Sequence, residues 1–395
     1  MTVRIARSLV DVDAEQWNAL AGHGPPFLRH EFLLALEQSG CATPATGWDA
    51  HHLLLTDAQG NLSGAMPLYL KSHSWGEFVF DFAWAAAYRR AGLNYYPRLC
   101  CAVPFTPATG PRLLTLPAGS AQNRETLVLA ARELVRTLGV SSLHVLFPGA
   151  DDRLALEGAG LMPRLDCQFH WHNAGYGGFE DFIASFTAEK RKKLKRERRR
   201  VAEAGITHRT LHGDELDDAL IETVYRLHAR TFARFGNPPY LNPDFFHRLA
   251  RTMPRALVVE LASLEDQVIA CSVSLRSDDT LYGRYWGASG DHHSLHFETC
   301  LYRGIEYCIR EGLARFEPGT QGEHKLLRGF APAPVWSLHE IADPRFAAAI
   351  DDWLKRERSQ RQAYLRAAAD HLPFRRADIP ARLTADVRDC LAAQD

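Results

Sequence analysis

The two halves of the chain repeat one supersecondary pattern, a hairpin followed by a helix and a strand. The first half carries it in HHLLLTDAQGNLSGAMPLYLKSHS, with a tight turn at residues 59–61, then in the helix NRETLVLAARELVRTLG and the strand SSLHVLFPG. The second half carries it in ALVVELASLEDQVIACSVSLRSDDTLYGRYWGA, HFETCLYRGIEYCIREG and LARFEPG. A repeat of this kind predicts two similar domains in which strands and helices pack together.

The sequence NAGYGG at residues 173–178 interrupts both patterns and marks the expected boundary. We therefore predict domain 1 over residues 1–173 and domain 2 over residues 174–395. The tail of domain 2 predicts two further helices, PRFAAAIDDWLKRERSQRQAYLRAAADHL and ARLTADVRDCLAAQ.

Positive charge is concentrated in one short stretch, EKRKKLKRERRR, at Glu189–Arg200. The whole chain has a net charge of −1, whereas nine of these twelve residues are Lys or Arg. The surrounding FEDFIASFTAEKRKKLKRERRRVAEAG predicts the first helix of domain 2, with a thin apolar seam at Leu194 and Val201. Either this is a solvated surface helix in which Glu197 pairs with its neighbours, or Lys192, Lys195 and Arg199 contact the phosphates of an RNA or a nucleotide-bearing donor.

Several classes of protein are disfavoured by what the sequence lacks. The eight cysteines form no C-x-x-C pair and no zinc spacing, which favours reduced thiols and a cytoplasmic location. The N-terminus has no signal-peptide core, and no apolar run is long enough for a membrane span. No Walker motif, dinucleotide fingerprint or G-x-S-x-G elbow occurs, so a nucleotide hydrolase, a Rossmann dehydrogenase or an α/β-hydrolase is not expected.

Polar residues cluster in two stretches near the end of domain 2, FEPGTQGEHKLLRGFAP and SLHFETC. The residues that we expect to form a site are Glu317, Gln321, Glu323, His324, Lys325 and Arg328 in the first stretch, and His296 and Glu298 in the second. In the alternative interpretation EHK is a solvated loop and His296 merely lies near a helix start. A metal site of His296, Glu298, Glu323 and His324 is disfavoured because their spacing matches no zinc pattern.

Roles for these residues follow from their chemistry. Glu298, Glu323 and His324 are candidates for proton transfer, since a protein can bring the pKa of Glu or His near neutrality. Lys325 and Arg328 could hold a carboxylate or a phosphate. His296, Glu317 and Gln321 are predicted to bind substrate. A helix N-terminus expected at residues 297–301 would add oriented N–H groups for an anion or oxyanion.

Domain 1 offers a second polar region in LKSHSWGEFVFDFAWA and LNYYPRLCCAVPFTPATGPR. Here His73, Glu77, Tyr95 and Tyr96 are candidates for binding substrate. The alternative is a structured loop with an aromatic core. A triad built from His73 and Ser74 is disfavoured, because adjacent residues do not readily reach triad geometry.

Several of these stretches also resemble known sequences. The basic helix ending in Gly-Ile, then YRLHARTFARFGNPPYLNPDFFHRL and QVIACSVSL with YGRYWGA, resembles the Fem peptidyltransferases, which move amino acids from aminoacyl-tRNA onto peptidoglycan precursors. The stretches SHSWGEFVFDFAWA, YYPRL, PFTP, LHFETC and FEPGTQGEHKLLRGFAP are similar to a branch called FemAB-like, or peptidoglycan biosynthesis/recognition. This resemblance covers nearly the whole chain.

The resemblance implies an α/β (α+β) fold of tandem GNAT-like acyltransferase domains, with mixed central sheets flanked by helices. It implies acyl or aminoacyl transfer to an amine, from aminoacyl-tRNA or acyl-CoA, without a permanently bound cofactor. An oxyanion would be met by backbone N–H groups near Tyr285 and Trp286. The pyrophosphate loop of acetyl-CoA enzymes, Q/R-x-x-G-x-G/A, is replaced here by GASGDHHSLHFE, which favours a tRNA-borne or otherwise different donor over acetyl-CoA. The alternatives are an acetyl-CoA-dependent N-acetyltransferase, or a non-catalytic binding protein for a cell-wall precursor or RNA.

Overall fold

The computed structural model describes residues 1–320 and 322–375, and the chain divides into two compact units. Unit 1 comprises Met1–Asp166 and Val335–Arg361, and unit 2 comprises Cys167–Pro334 and the residues from Gln362 onward. Unit 1 thus includes Val335–Arg361, which follows Cys167–Pro334 of unit 2 in the sequence. A single boundary therefore cannot separate the two units. The predicted boundary at residue 173 stays a prediction.

Fifteen strands are found in the described residues. In chain order they are β1 (Thr2–Ala6), β2 (Trp48–Ala50), β3 (His52–Thr56), β4 (Leu62–Met66), β5 (Leu68–Lys71), β6 (Arg98–Cys101), β7 (Leu114–Thr115), β8 (Ser142–Leu146), β9 (Met162–His172), β10 (Thr207–His212), β11 (Leu257–Leu264), β12 (Gln267–Arg276), β13 (Thr280–Ala288), β14 (Arg315–Glu317) and β15 (Ala331–Ile341).

The described α-helices lie between and after these strands. They are α1 (Ala14–Ala21), α2 (His30–Gln38), α3 (Phe82–Arg90), α4 (Ser120–Leu138), α5 (Ala150–Gly158), α6 (Phe179–Ala184), α7 (Ala188–Glu203), α8 (Asp218–Arg234), α9 (Pro243–Thr252), α10 (Leu295–Phe297), α11 (Arg303–Arg310) and α12 (Pro344–Ala369). Short 3₁₀ helices occur at Pro26–Leu28, Pro44–Thr46, Gly213–Glu215 and Glu323–Arg328, and a π-helical segment at Glu298–Tyr302 joins α10 to α11. None of the described helices combines the length and apolar character needed to span a bilayer.

Unit 1 contains two groups of hydrogen-bonded strands, in the orders β1-β3-β4-β7 and β15-β8-β6-β5-β2. In the second group β6 and β8 are parallel, and the other described neighbours are antiparallel. The apolar face of α4, including Leu127, Ala131 and Leu134, packs into the main core of the unit. This helix ends at Gly139, whose φ of 62° places it in the left-handed region, as the sequence predicts.

Unit 2 has one mixed sheet in the order β10-β11-β12-β13-β14-β9. Its only parallel pair among the described strands is β13 with β14, and both units contain the predicted hairpin, helix and strand. Helix α8 packs directly on β13, because a Cβ on Gly287 would lie 2.2 Å from the carbonyl carbon of Leu227. Only glycine permits this approach.

The single long helix predicted at the start of domain 2 is wrong. It breaks at residues 185–187, and the basic stretch forms α7, the second helix of unit 2. The reason is tertiary: Thr187 N–H donates to the carbonyl of Pro373, and Arg375 N–H donates to that of Ser185. These bonds, and the buried ring of Phe186, hold the backbone out of the helix.

One further prediction about the helices is wrong, and another concerns residues that the structure does not describe. The helical segment after β13 begins at Leu295, so the helix N-terminus expected at residues 297–301 is wrong, and those residues lie within the helical segment. The first predicted tail helix is α12. The second, ARLTADVRDCLAAQ, lies outside the described residues.

Candidate functional site

The C-terminal half of β13 forms a strand edge within unit 2. Pairing with β14 ends at Tyr282 opposite Glu317. On the other side, Val273 faces Tyr285 and Ser274 faces Gly283, so Arg284 is the extra residue of a β-bulge. A bulge leaves its extra residue outside the ladder and re-aims the strand beyond it. Beyond the bulge, Tyr285 and Trp286 pair with β12 and with no other described strand.

A cavity of about 570 Å³ lies beside this edge. It is open to solvent on one side and is lined by the end of α8, the end of β13, the loop that follows β13, and the imidazole of His296. The charged and aromatic side chains among its lining residues are Arg230, Arg234, Phe235, Trp286, Asp291, His292 and His296. A concave site with a few convergent polar groups is the usual form of a ligand pocket.

Two histidines come together next to the cavity. The ring of His296 lies edge-on to that of Trp286, with centroids 5.2 Å apart, and 6.1 Å from the ring of His324. Burial lowers the pKa of His296 to about 4 and also lowers the pKa of His324. Both imidazoles are therefore neutral at pH 7. Nε2 of His324 is buried and has no hydrogen-bond partner in the described residues.

The ring of His324 can occupy its position only because residue 322 is a glycine. A Cβ at Gly322 would lie 2.2 Å from Cε1 of His324, and the residue has a φ of 114°. Any other residue at this position would collide with the ring and strain the backbone. Of the two neighbours in GEHK, Glu323 is exposed and its Oε1 accepts a hydrogen bond from Tyr364 at 2.9 Å. His324 is the one that turns toward His296.

Lys325 is buried, contrary to a solvated EHK loop. Its Nζ donates to the carbonyls of Gly319 at 2.8 Å and Pro318 at 3.3 Å, which holds the turn after β14. Burial lowers the pKa of Lys325 to about 7. Glu317, at the end of β14, is also buried, and burial raises its pKa to about 7 although Arg315 lies 3.1 Å away.

Arg328 forms a buried ion pair with Glu197 of α7. Its Nη2 lies 2.9 Å from both carboxylate oxygens, Nε donates to Tyr302 Oη at 2.9 Å, and Nη1 donates to the carbonyl of His324 at 2.8 Å. The guanidinium also lies 3.4 Å from the ring centroid of Phe297. Arg328 is thus bound on all sides by the protein and fixes the 3₁₀ helix that carries His324.

Glu298 is also enclosed by arginines. Arg198 of α7 and Arg303 each approach its Oε1 to 2.9 Å, and the carboxylate is almost fully buried. The interpretation of α7 as a solvated helix, with Glu197 pairing along its own surface, is therefore wrong. Glu197 and Arg198 point inward and join α7 to residues about 100 or more positions away.

The outer face of α7 carries the three basic residues predicted to contact phosphate. Lys192, Lys195 and Arg199 are all exposed. Lys195 lies 2.7 Å from Glu180, and Arg199 lies 3.5 Å from Glu203. Two of the three charges are thus partly neutralised by neighbouring carboxylates.

In unit 1, most of the predicted site residues belong to a buried network. Asp81 accepts hydrogen bonds from Ser74 and Tyr95, each at 2.6 Å, and Tyr96 Oη lies 2.6 Å from Ser74 Oγ. Glu77 is paired with Arg98. His73 is only half-buried and makes no bond to Ser74 in the described contacts. The region is a structured loop, and its predicted role in substrate binding stays a prediction.

Comparison with known sequences decides the family. The model of the FemAB-like family, described as peptidoglycan biosynthesis/recognition, matches residues 8–376. This chain belongs to the FemAB-like family. Among curated proteins, none is significantly similar to it in sequence.

Solved structures similar to this FemAB-like protein include FemX, with 11% identity and a TM-score of 0.53 over 89% of this chain and 100% of FemX. A conserved protein of unknown function from Bacteroides thetaiotaomicron has 9% identity and a TM-score of 0.51, covering 86% and 99%. A tandem GNAT protein from the clavulanic acid biosynthesis pathway has 13% identity and a TM-score of 0.42, covering 87% and 99%. The predicted fold class, α/β with mixed sheets flanked by helices, is confirmed.

The FemAB-like protein has a row of arginines that sequence reasoning missed. Arg226, Arg230 and Arg234 are exposed on α8 at intervals of four residues, which puts them on one helix face. Arg230 donates to the carbonyl of Ser289, and Arg234 lies 2.9 Å from Asp291, so the row leads to the loop after β13. The spacing in YRLHARTFAR was a signal that the sequence already carried.

The remaining predicted residue, Gln321, lies outside the described residues. Within the described part of the FemAB-like protein, no group of three or more His, Cys, Asp or Glu side chains is arranged to hold a metal ion. The structure therefore brings together His296, His324, Trp286 and Phe297, whereas it directs Glu298 and Arg328 into ion pairs.

Proposed function

We propose that this FemAB-like protein is an acyl- or aminoacyltransferase that moves an activated acyl group onto an amine in the cavity of unit 2. The observation that carries the proposal is the position of the neutral pair His296 and His324 beside the open edge of β13. Acyl transfer needs a proton acceptor for the amine and N–H donors for the developing oxyanion. The proposal is supported by His296 and Trp286, which both line the cavity, and by His324, whose ring lies 6.1 Å from that of His296.

The proposed reaction uses these groups in order. The amine nitrogen attacks the ester carbonyl, and backbone N–H groups near Tyr285 and Trp286 stabilise the oxyanion. Nε2 of His324 accepts the proton that the amine loses, directly or through His296. The C–O bond to the donor then breaks, and the proton passes to the leaving oxygen. Lys325 supports this arrangement by fixing the turn after β14.

Aminoacyl-tRNA is the donor that we propose. The arginine row of α8 runs into the cavity, and evenly spaced cations on one face suit the phosphates of a nucleic-acid end. Lys192, Lys195 and Arg199 on α7 are a second candidate surface for the same phosphates. The acceptor amine would then come from a peptidoglycan precursor, in line with the description of the family.

Substitution of the histidines tests the chemistry. We expect His324→Ala and His296→Ala each to lower transfer by about 100-fold or more, the usual contribution of a general base. The control is His247→Ala, which removes an imidazole of α9 that pairs with Asp218 at 3.3 Å. Activity is measured as consumption of a charged tRNA pool in the presence of a panel of amines. Wild-type turnover in both variants would overturn the site assignment.

Charge reversal and ligand binding test the donor. Arg226→Glu, Arg230→Glu and Arg234→Glu in one chain should weaken tRNA binding and flatten its salt dependence, because fewer counterions are released. The same reversal at Lys192, Lys195 and Arg199 shows whether α7 contributes. If coenzyme A instead raises the melting temperature and no RNA binds, the donor is an acyl-CoA. If neither donor is consumed, the protein is a binding protein.

A further inference from the structure

One face of the unit 1 sheet is polar although it is buried. Lys71 of β5 pairs in register with Arg98 of β6, and His144 of β8 pairs with His339 of β15. All four side chains are fully or almost fully buried. Burying charged groups is costly unless they are paired and hydrogen-bonded, so this face needs partners. Arg98 is its permanent positive charge, whereas burial lowers the pKa of Lys71 to about 7.

The partners come from a different element, which we name the cap loop, His73–Asp81. Glu77 lies 2.5 Å from Nη2 of Arg98, and Asp81 lies 2.9 Å from the same nitrogen. The carboxylate of Glu77 is 4.0 Å from Nζ of Lys71, beyond hydrogen-bond range. The sheet thus supplies the cations, and the cap loop supplies the anions.

The hydrogen bonding between Arg98 of the sheet and Glu77 of the cap loop is incomplete. Nε and Nη1 of Arg98 and Oε1 of Glu77 are buried without hydrogen-bond partners in the described residues. A buried polar atom left unsatisfied is costly, and more so when it is charged. Both side chains are more than nine-tenths buried. Such unfilled capacity marks a place where a better-matched anion would be favoured.

The cap loop is held more by its side chains than by backbone pairing. It forms neither a helix nor a strand, and the described bonds to its carbonyls come from Phe105 N–H to Gly76, from Nζ of Lys71 to Trp75 at 3.5 Å and from Nη1 of Arg164 to Phe80 at 2.8 Å. Trp75 and Phe80 on this loop are 53% and 56% exposed. Segments with little backbone pairing and exposed apolar side chains open at low free energy.

We propose that Lys71 and Arg98 form a binding site for an anionic compound, and that Glu77 and Asp81 of the cap loop occupy this site when the compound is absent. The ligand carries a phosphate or carboxylate group, which a guanidinium can bind through two parallel hydrogen bonds. The hydroxyl of Tyr95, which lies outside the cap loop, would add a further contact. This inference concerns unit 1 and does not rest on the transferase reaction.

Hydrogen exchange of the full-length wild type tests the displacement. We expect inorganic pyrophosphate or succinate to increase amide exchange severalfold within residues 73–81, while amides of α4 are unchanged. Pyrophosphate and succinate in separate arms distinguish a phosphate ligand from a carboxylate. Unchanged or slower exchange of the cap loop at saturating concentrations of both anions would overturn the proposal.

Weakening the internal anion tests the competition. Glu77→Gln should bind the effective anion about tenfold more tightly, since one charged hydrogen bond no longer competes. The matched control is Glu133→Gln, an exposed carboxylate of α4 that pairs with Arg136. Affinity is measured by titration calorimetry, and folding is checked by circular dichroism. Equal or weaker affinity in a folded Glu77→Gln contradicts the proposal. If that variant does not fold, the exchange experiment decides.

Discussion

Both units bury an arginine against a glutamate, but only one of the two arginines is fully satisfied. In unit 2, each nitrogen of the Arg328 guanidinium donates a hydrogen bond. Nε donates to Tyr302, Nη1 to the carbonyl of His324, and Nη2 to the carboxylate of Glu197. In unit 1, Glu77, Asp81 and Ser74 all contact the same nitrogen of Arg98, Nη2. Its Nε and Nη1 have no hydrogen-bond partner in the described residues.

The difference separates a structural ion pair from a site. The pair of Arg328 and Glu197 locks the helix that carries His324, and it leaves no N–H group for a ligand. Arg98 is buried and keeps two nitrogens, Nε and Nη1, without hydrogen-bond partners in the described residues. Buried polar networks that are complete rigidify a fold, whereas incomplete ones are costly and are retained at functional positions.

The largest expected effect comes from breaking each pair. Glu197→Gln should lower the free energy of unfolding by about 3–5 kcal/mol, because it leaves a buried guanidinium without its counter-charge. Glu77→Gln should cost only about 1–2 kcal/mol, since Arg98 keeps Asp81 and one oxygen of Glu77 was already unpaired. Urea unfolding measures both, with Glu189→Gln on the exposed side of α7 as the control. Equal losses in the two variants would remove the distinction between the pairs.

A pH titration should sharpen the comparison within unit 2. Burial raises the pKa of Glu317 to about 7. The unfolded chain therefore releases this proton near pH 4.5, before the folded protein does, and stability is lost as pH rises from about 4.5 to 7. The loss is roughly 3 kcal/mol at 1.36 kcal/mol per pH unit.

The variant Glu317→Gln lacks this dependence. Its free energy of unfolding relative to wild type should therefore rise over that interval and stay constant above pH 7. Lys325 acts at higher pH: burial lowers its pKa to about 7, so its contribution falls as pH drops from about 10.5 to 7. A difference between wild type and Glu317→Gln that does not change with pH contradicts the assignment.

A smaller effect is expected at His228, another incompletely satisfied group. Its ring is buried among aromatic rings, with Phe232 and Tyr285 both 4.9 Å away, and neither nitrogen has a hydrogen-bond partner in the described residues. His228→Phe should raise the free energy of unfolding by about 1–2 kcal/mol at pH 7.5.

The gain at His228 should grow in acid. Burial lowers the pKa of His228 to about 4, so the wild type loses stability as pH falls from about 6.5 to 4, and the variant does not. Melting temperatures at pH 7.5 and 5 report this, with His247→Phe on α9 as the control. A destabilised variant at both pH values would mean that the imidazole has a partner.

The smallest effect on stability is expected on the outer face of α7. Charge reversal at Lys192, Lys195 and Arg199 should change the free energy of unfolding by less than about 1 kcal/mol, because exposed ion pairs contribute little. The same variant reports RNA binding in a filter assay. A large loss of stability would place this face in the packing of the unit.

The sequence alone predicted the local elements well. The periodic apolar residues of α4, its end at Gly139, the hairpin of β11 and β12, and the helix α12 all depend on neighbours a few residues apart. Short-range patterns determine such elements because helix and strand periodicity are local properties. The resemblance to the FemAB-like family also came from stretches that can be read directly in the sequence.

The roles of single polar residues could not be obtained in this way. The chemistry of Glu298, Glu323 and Arg328 suggests site residues. Their contacts, however, are made with Arg198, Tyr364 and Glu197, respectively. Arg328 and Glu197 are 131 positions apart. No local pattern records such a pairing, because it depends on which helix packs against which.

What the sequence by itself determined is the repeated order of strands and helices and the concentration of charge on α7. Tertiary structure decided which charged side chains are exposed and which are paired inside the protein. It turned Glu197 and Arg198 inward, left Lys192 outside, and gave Lys71 and Arg98 their anions from a loop. The physical reason is that periodicity is set by neighbouring residues, whereas burial and pairing of a charge are set by the elements that fold against it.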